Sequence, residues 1–267
     1  MKVGAIGGGN MGEAILTALP RAGLKEAGDL CVCDIDPRRR ERLAREHGFR
    51  VVDNAGDVLH FADTVVLAVK PQDLDDLLDA IAGSVTPDHL LISIAAGKAL
   101  AGIEARLPDG ARVIRVMPNL PAVVGAGMSV YCCGRHASTR DRDVAHVLLA
   151  SFGKVREMSE ELFDAVTAVS GSGPAFFAYY AQALAEAGVA SGIDAEAAEE
   201  LAVQTMLGTA RLLAEGVFAD PASLIAAVSS KGGTTVAGMQ VLGDGAVSDA
   251  VQHTIDAAAR RSRELSG

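Results

Sequence analysis

Three observations predict an α/β fold in which a doubly wound, mostly parallel sheet is followed by an all-helical C-terminal part. The chain opens with a short apolar strand, residues 2–6, that runs into Gly7-x-Gly9-x-x-Gly12 and then into a helical pattern over 13–19. Short apolar strands then alternate with helical patterns up to about residue 156, as βαβ units do. From Glu160 onward the pattern is helix alone. At 267 residues the chain exceeds a usual single domain, so two are expected, 1–157 and 158–267, each large enough for its own core.

In a strand, turn and helix of this kind, Gly7 permits the sharp turn, Gly9 admits a pyrophosphate to the backbone and Gly12 lets the helix pack close to the strand. Phosphates would lie on the free N–H groups and positive dipole end of that helix, where Asn10 and Met11 sit. A lone GxGxxG is weak evidence, but its strand-to-helix context is that of a Rossmann-type dinucleotide fingerprint. Residues 29–34 read as the second strand and end in Asp34, 22 residues past Gly12. An acid at an offset of about 20 takes the ribose 2′-OH, which favours NADH over NADPH. Arg38, Arg39 and Arg40 open the next helix, where they either hold a 2′-phosphate or form a solvated face.

Strands follow at 49–52 and 63–69, the second an apolar run typical of a central strand buried on both faces. It ends in Val69-Lys70-Pro71, and Pro71 opens a helix with Leu74, Leu77, Leu78 and Ile81 at a period near 3.6. Ligands lie beyond the carboxyl ends of such strands, so Val69, Lys70 and Pro71 are candidate cofactor contacts, Lys70 without a catalytic role. Strands at 90–94 and 112–117 end in Ala95-Ala96-Gly97 and Pro118-Asn119. Ala95 and Asn119 join the cofactor candidates; Asn119 orients the nicotinamide or substrate, or else forms an Asx turn before Pro121. Strands at 127–132 and 153–156, around a helix at 141–150, bring the sheet to about eight strands with helices on both faces.

The helical half reads as 161–169, 175–190, 194–215 and 246–264, divided by Gly171-Ser172-Gly173-Pro174, Gly192, Gly216, Asp220-Pro221 and Gly243-Asp244-Gly245. A helix as long as 194–215, with small residues on several faces, is hard to bury within this half alone, which predicts an interlocked dimer. A second glycine loop lies between a helix ending at Val228 and one beginning near Thr234. The N–H groups of Gly232, Gly233, Thr234 and Thr235, beside the hydroxyls of Ser229, Ser230, Thr234 and Thr235, suit a small carboxylate or an ordinary hydroxyl-capped helix start.

A formal charge of −10 argues against a nucleic-acid partner, which needs clustered Lys and Arg. Cys31, Cys33, Cys132 and Cys133 lack the spacing of a zinc site and read as reduced core thiols, so no metal is expected. The start carries no signal-peptide pattern, and no apolar run reaches the roughly 18 residues of a membrane span. A soluble, cytoplasmic protein is expected.

Gly7-Gly8-Gly9-Asn10-Met11-Gly12, Val69-Lys70-Pro71, Arg115-Val116-Met117-Pro118-Asn119, Gly171-Ser172-Gly173-Pro174-Ala175, Gln204-Thr205 and Ser229-Ser230-Lys231-Gly232-Gly233-Thr234-Thr235 together resemble pyrroline-5-carboxylate reductase, in order and spacing, over essentially the whole chain. The resemblance implies the last step of proline biosynthesis, reduction of the cyclic imine 1-pyrroline-5-carboxylate to L-proline by NADH or NADPH. It implies a homodimer that is domain-swapped through the C-terminal helices, with further assembly open. By the same resemblance Ser230, Gly232, Gly233, Thr234 and Thr235 bind the substrate carboxylate, the catalytic Thr235 hydroxyl lies near the ring nitrogen, and Asn54 adds an adenosine-ribose contact. Two departures stand out. Lys231 replaces the proline of the family's usual Ser-Pro-Gly-Gly, and the second strand ends in Asp34-Ile35 where the family often has Asn-Arg or a hydroxyl residue suited to NADP. A reductase of another cyclic imino acid remains an alternative. A β-hydroxyacid dehydrogenase would need a lysine soon after the Gly171-Ser172-Gly173 turn, and a non-catalytic dinucleotide sensor would not need the second loop.

Overall fold

The computed structural model describes residues 2–266 of the chain. Eight strands form one sheet in the order β3-β2-β1-β4-β5-β6-β7-β8: β1 (Val3–Ile6), β2 (Leu30–Cys33), β3 (Arg50–Val52), β4 (Thr64–Leu67), β5 (Leu90–Ser93), β6 (Arg112–Met117), β7 (Gly127–Cys133) and β8 (Gly153–Glu157). All neighbours pair parallel except β6 and β7. The connecting helices are α1 (Asn10–Arg21), α2 (Pro37–His47), α3 (Ala55–Phe61), α4 (Leu74–Ile81), α5 (Leu100–Glu104) and α6 (Thr139–Ala150). Successive strands run outward from β1 to β3 on one side, and β4 returns to pair with the other edge of β1. The carboxyl ends of β1 and β4 therefore flank the point where strand order reverses, the usual place for a ligand crevice.

The central strands are buried on both faces, and alternate residues feed two cores. On one face Ile6, Cys31, Cys33, Val65 and Leu67 pack with Val58, Leu59, Leu74, Leu78 and Ile81 of α3 and α4. On the other, Val3, Ala5, Leu30, Val32 and Val66 pack with Ile15, Leu16 and Leu19 of α1, Leu43 of α2, and Leu148 and Leu149 of α6. Each fully buried Leu stabilises the fold by roughly 1.5–3 kcal/mol relative to exposure. Cys31, Cys33, Cys132 and Cys133 are free thiols, and burial pushes Cys31 up to about 11 and Cys132 up to about 12.

Beyond β8 the chain departs from the continuous helix expected over 161–169. A 3₁₀ turn (Glu160–Leu162) and a single α turn, α7 (Phe163–Val166), lead into a wide π turn (Thr167–Gly171) closed by the Ser172 N–H on the Thr167 carbonyl at 2.8 Å. Pro174 has no N–H to give the Ser170 carbonyl in an α-helical register. Asn119 Nδ2 instead donates to that carbonyl at 3.3 Å.

Contacts divide the chain at Ser172: one unit holds the sheet, its helices and the end of the C-terminal helix from Ala258, the other runs from Gly173 to Ala257. The second unit contains α8 (Gly173–Ala190), α9 (Ala195–Ala214), α10 (Pro221–Val228), α11 (Thr234–Asp244) and the first part of α12 (Val247–Ser266). Helices α8 and α9 pack on each other through Ala181, Ala198 and Ala202. Among the described residues of this unit, the only other buried side chain is Leu224. No helix among the described residues is long and apolar enough to cross a membrane.

Candidate active site

The glycine turn after β1 assigns a different constraint to each glycine. Gly7 has φ +105°, and a Cβ there would lie 2.5 Å from the Ala68 carbonyl oxygen, so the turn tolerates only glycine. A Cβ on Gly12 would overlap the Gly7 carbonyl oxygen, which fixes how closely α1 approaches β1. Gly9 is the opposite case: nothing lies within 4 Å of its Cβ direction, so the backbone is open to a ligand at the N-terminus of α1. Gly9 caps α1 with extended backbone, and its carbonyl already takes the Glu13 N–H at 2.9 Å. The N–H groups of Asn10, Met11 and Gly12 precede the first intrahelical bond and carry the positive end of the helix dipole. This geometry fits a pyrophosphate. Gly8 is a residue that the fingerprint spacing passes over. A Cβ there would meet Leu43 Cδ1 at 2.6 Å, and its N–H donates to Asp34 Oδ2 at 2.7 Å. The run of three glycines was the only sequence signal for it.

Asp34 stands just past the carboxyl end of β2 and is buried, while the next residue, Ile35, is 96% exposed. Its carboxylate is fully engaged: Oδ1 accepts the Asp36 N–H at 2.9 Å, Oδ2 accepts the Gly8 N–H, and Arg39 NH1 donates to both oxygens at 3.1 and 3.0 Å. Burial pushes the Asp34 carboxyl up, but the Asp36 N–H, the Arg39 guanidinium and the Gly8 N–H together hold it below the usual Asp range. Arg40 binds the Asp34 carbonyl oxygen at 2.7 Å and pairs with Asp53, and Arg38 is exposed. Two of the three arginines are therefore anchored to the end of β2 and its surroundings, and the simple picture of a solvated arginine face does not hold for them.

At the other strand ends, Val69 is half-buried, and Lys70 is exposed at the start of a 3₁₀ turn (Pro71–Asp73) that leads into α4. The Ala95 side chain is sealed in the core, so only its backbone can face a ligand. Asn54 caps α3, with its Oδ1 on the Asp57 N–H at 3.0 Å and its Nδ2 on the Asp57 carboxylate at 2.7 Å. Asn119 makes no Asx turn: its Oδ1 accepts the Met128 N–H at 2.8 Å and its Nδ2 reaches Ser170, which ties the end of β6 to β7 and the π turn. A cleft of about 450 Å³ opens beside these strand ends, lined by Pro71, Gln72, Ala96, Gly97 and Lys98 together with Thr167 and Ser262. Gln72, Lys98 and Thr167 were not readable as its walls, because the cleft is formed by segments distant in the chain.

The second glycine loop belongs to the helical unit. α10 ends at Val228 with Ser229 as its C-cap, the Gly233 N–H closes on the Ser230 carbonyl at 2.9 Å, and Gly233 caps α11 with extended backbone. Gly232, with φ +73°, is the third residue of this four-residue turn, and Lys231 is the second. A first-to-fourth hydrogen bond with positive φ at the third residue alone is the pattern of a type II turn, whose second position favours proline. The first N–H groups of α11 and the hydroxyls of Thr234 and Thr235 lie beside it, with Thr235 half-buried. Such a loop presents backbone donors and hydroxyls to a small anion without any formal charge except the exposed Lys231. Elsewhere Glu13, Glu46 and His47 come within metal-ligand reach of one another, but the Arg42 guanidinium spans the two carboxylates.

Residues 160–265 match a family model for pyrroline-5-carboxylate reductase dimerisation, and residues 2–97 match one for the coenzyme F420-dependent NADP oxidoreductases. The chain is 40% identical to a pyrroline-5-carboxylate reductase of Synechocystis sp. over 99% of its own length and 98% of the relative's. A solved pyrroline-5-carboxylate reductase from Coxiella burnetii superposes with a TM-score of 0.94 at 31% identity, covering 100% of this chain and 98% of that one. A Plasmodium falciparum pyrroline carboxylate reductase solved with NADP bound gives a TM-score of 0.88 at 26% identity, covering 100% and 98%. Sheet, glycine turn, helical second half and full-length identity agree: the chain belongs to the pyrroline-5-carboxylate reductase family, a family of NAD(P)H-dependent oxidoreductases.

Proposed function

We propose that this protein reduces 1-pyrroline-5-carboxylate to L-proline in the last step of proline biosynthesis, with residues 1–157 binding the dinucleotide and 158–267 binding substrate and dimerising. The observation that carries this reading is the second glycine loop, a hydroxyl-lined helix N-terminus in a chain whose full-length relatives bear that name. The Ser230 hydroxyl and the backbone N–H groups of Gly232, Gly233, Thr234 and Thr235 hold the substrate carboxylate, and the Thr235 hydroxyl stands at the ring nitrogen. Gly7, Gly9, Asn10, Met11 and Gly12 hold the pyrophosphate. Asp34 and Asn54 take the adenosine ribose; Val69, Lys70, Pro71, Ala95 and Asn119 line the nicotinamide side. A bound NADH or NADPH supplies the hydride that adds to C5 of the ring. Since a protonated imine is already electrophilic, the protein's own work is to fix the ring by its carboxylate and to accept the iminium N–H at a hydroxyl oxygen. That accounts for a site built on backbone and hydroxyl donors, with no strong acid.

Asp34 makes NADH the favoured cofactor, because a 2′-phosphate would be brought against a carboxylate. A higher kcat/KM with NADPH than with NADH would remove that preference. We assign assembly to the C-terminal helices as a homodimer and the compartment to the cytoplasm. The decisive assay follows NADH oxidation with racemic pyrroline-5-carboxylate. Thr235→Ala should lower kcat/KM by about 10–100-fold, the scale of one hydrogen bond to a charged group, and Thr235→Ser should restore most of it. Absence of turnover in the wild type would overturn the substrate, and an undiminished alanine variant would overturn the role of Thr235.

A further inference from the structure

A carboxylate offers about four lone-pair positions, and all four on Asp34 are in use. Oδ1 holds the Asp36 N–H and Arg39, and Oδ2 holds the Gly8 N–H and Arg39. The two backbone donors are part of the fold: Gly8 lies in the glycine turn, and Asp36 caps α2 by accepting the Arg38 N–H. Arg39 is the one removable partner. Its side chain remains 39% exposed, against 5% for Asp34, so it covers the carboxylate from the solvent side. A ribose 2′-hydroxyl cannot be accepted by Asp34 while Arg39 holds both oxygens.

We propose that Arg39 is a latch that sets cofactor choice, closing over the Asp34 carboxylate and, once released, offering its guanidinium at the ribose 2′ position. The inference rests on the reading of Asp34 as the ribose contact. With a 2′-hydroxyl the released carboxylate accepts the hydrogen bond and Arg39 turns to solvent. With a 2′-phosphate the guanidinium stays between the two anions, bridging what would otherwise be a repulsive pair. Arg38 and Arg40 do not share this function: Arg38 has no contact to the carboxylate, and Arg40 is held by the Asp34 carbonyl and Asp53. The latch therefore moderates the NADH preference that Asp34 alone would impose and keeps NADPH usable.

The test measures dissociation constants of NADH and NADPH by calorimetry, without substrate, for the wild type, Arg39→Gln, Arg39→Lys and Asp34→Asn. Arg39→Gln should weaken NADPH by at least about tenfold and leave NADH unchanged or tighter, and Arg39→Lys should keep NADPH within about threefold of wild type. Equal changes for both cofactors in Arg39→Gln, or none, overturn the latch. The Asp34 reading is judged separately: Asp34→Asn should weaken NADH and spare NADPH, and unaltered NADH binding would remove Asp34 from the ribose site. A wild type that binds neither dinucleotide would remove the cofactor assignment itself.

Discussion

Lys231 shows how one residue can be out of keeping with the turn it occupies. It sits at the second position of a type II turn whose third residue, Gly232, supplies the positive φ. Proline is pre-set for the φ of that second position, and among the hydrogen bonds of the described residues none uses the Lys231 N–H, so the ring would cost no donor. Lys231→Pro should therefore stabilise the protein by about 0.4–1 kcal/mol through the unfolded state, a rise of about 1–3 °C in the thermal midpoint. Because the loop is then better ordered before substrate arrives, KM for pyrroline-5-carboxylate should fall while kcat changes little. Thermal scans with steady-state kinetics check both parts, and a lowered midpoint would show that the backbone at Lys231 is not that of a proline. At this scale the sequence was legible where chemistry is local. The tight turn at Gly7 and the close helix–strand approach at Gly12 follow from spacing alone and recur in the contacts a side chain there would meet, and Gly9 is left open. The position of Asp34 follows from its offset, but the enclosure of its carboxylate by Gly8, Asp36 and Arg39 depends on how α2 returns over β2, which no local pattern encodes.

Among the elements, α1 must be held firmly if its N-terminus is to receive a pyrophosphate, and a clamp to α2 does this. Arg42 binds both oxygens of Glu13, at 2.7 and 2.5 Å, and His47 Nε2 lies 2.8 Å from the same carboxylate. The hydrogen bond from Arg42 outweighs burial and holds Glu13 down at about 2, against an ordinary value of 4.5. A carboxyl depressed by folding stabilises the native state fully above its unfolded value and loses that contribution as pH falls toward its folded one. The shift corresponds to at most about 3 kcal/mol, and screening around the partly exposed Arg42 reduces it to about 1–2 kcal/mol. Glu13→Gln should thus lower unfolding free energy by about 1–2 kcal/mol at pH 7, and the difference from wild type should shrink between pH 4.5 and 2, as denaturant melts at several pH values would show. A difference independent of pH would assign the effect to packing instead. The eight strands were legible to within about two residues, the central ones because buried parallel strands are continuous apolar runs. α3 and α5 were not, since seven and five residues are too few to display a helical period. The π turn was also hidden, because it depends on Asn119 meeting a carbonyl that Pro174 leaves without a donor.

For the whole molecule, the decisive contrast is between a unit with two closed cores and one with almost none. Among the described residues of unit Gly173–Ala257 the only buried side chains are those of Ala181, Ala198, Ala202 and Leu224, while Phe177, Tyr179, Leu201, Val203, Val241 and Val251 stand open in the single chain. An isolated domain of comparable size buries about 60% of its unfolded surface, and an apolar exposure this extended marks an association surface. The groove between α8 and α9, of about 610 Å³ and lined by Ala178, Ala185, Val203 and Met206 together with Glu186 and Glu199, is where a helix of a second copy is expected to seat. Small residues there would let the backbones approach closely. An obligate interface of this kind would supply the core that each copy lacks, so folding of the helical unit and assembly should be one transition. In sedimentation at micromolar concentration the wild type should exceed the 27.4 kDa of one chain by at least a factor of two. Val203→Glu, which adds a third carboxylate to the groove beside Glu186 and Glu199, should lower both the mass and the thermal midpoint. Val147→Glu, at an exposed position of α6 on the sheet unit, should change neither. A wild type that sediments as a single chain would mean that the helical unit is stable without a partner. A Val203→Glu variant that keeps its mass would move the interface away from this groove.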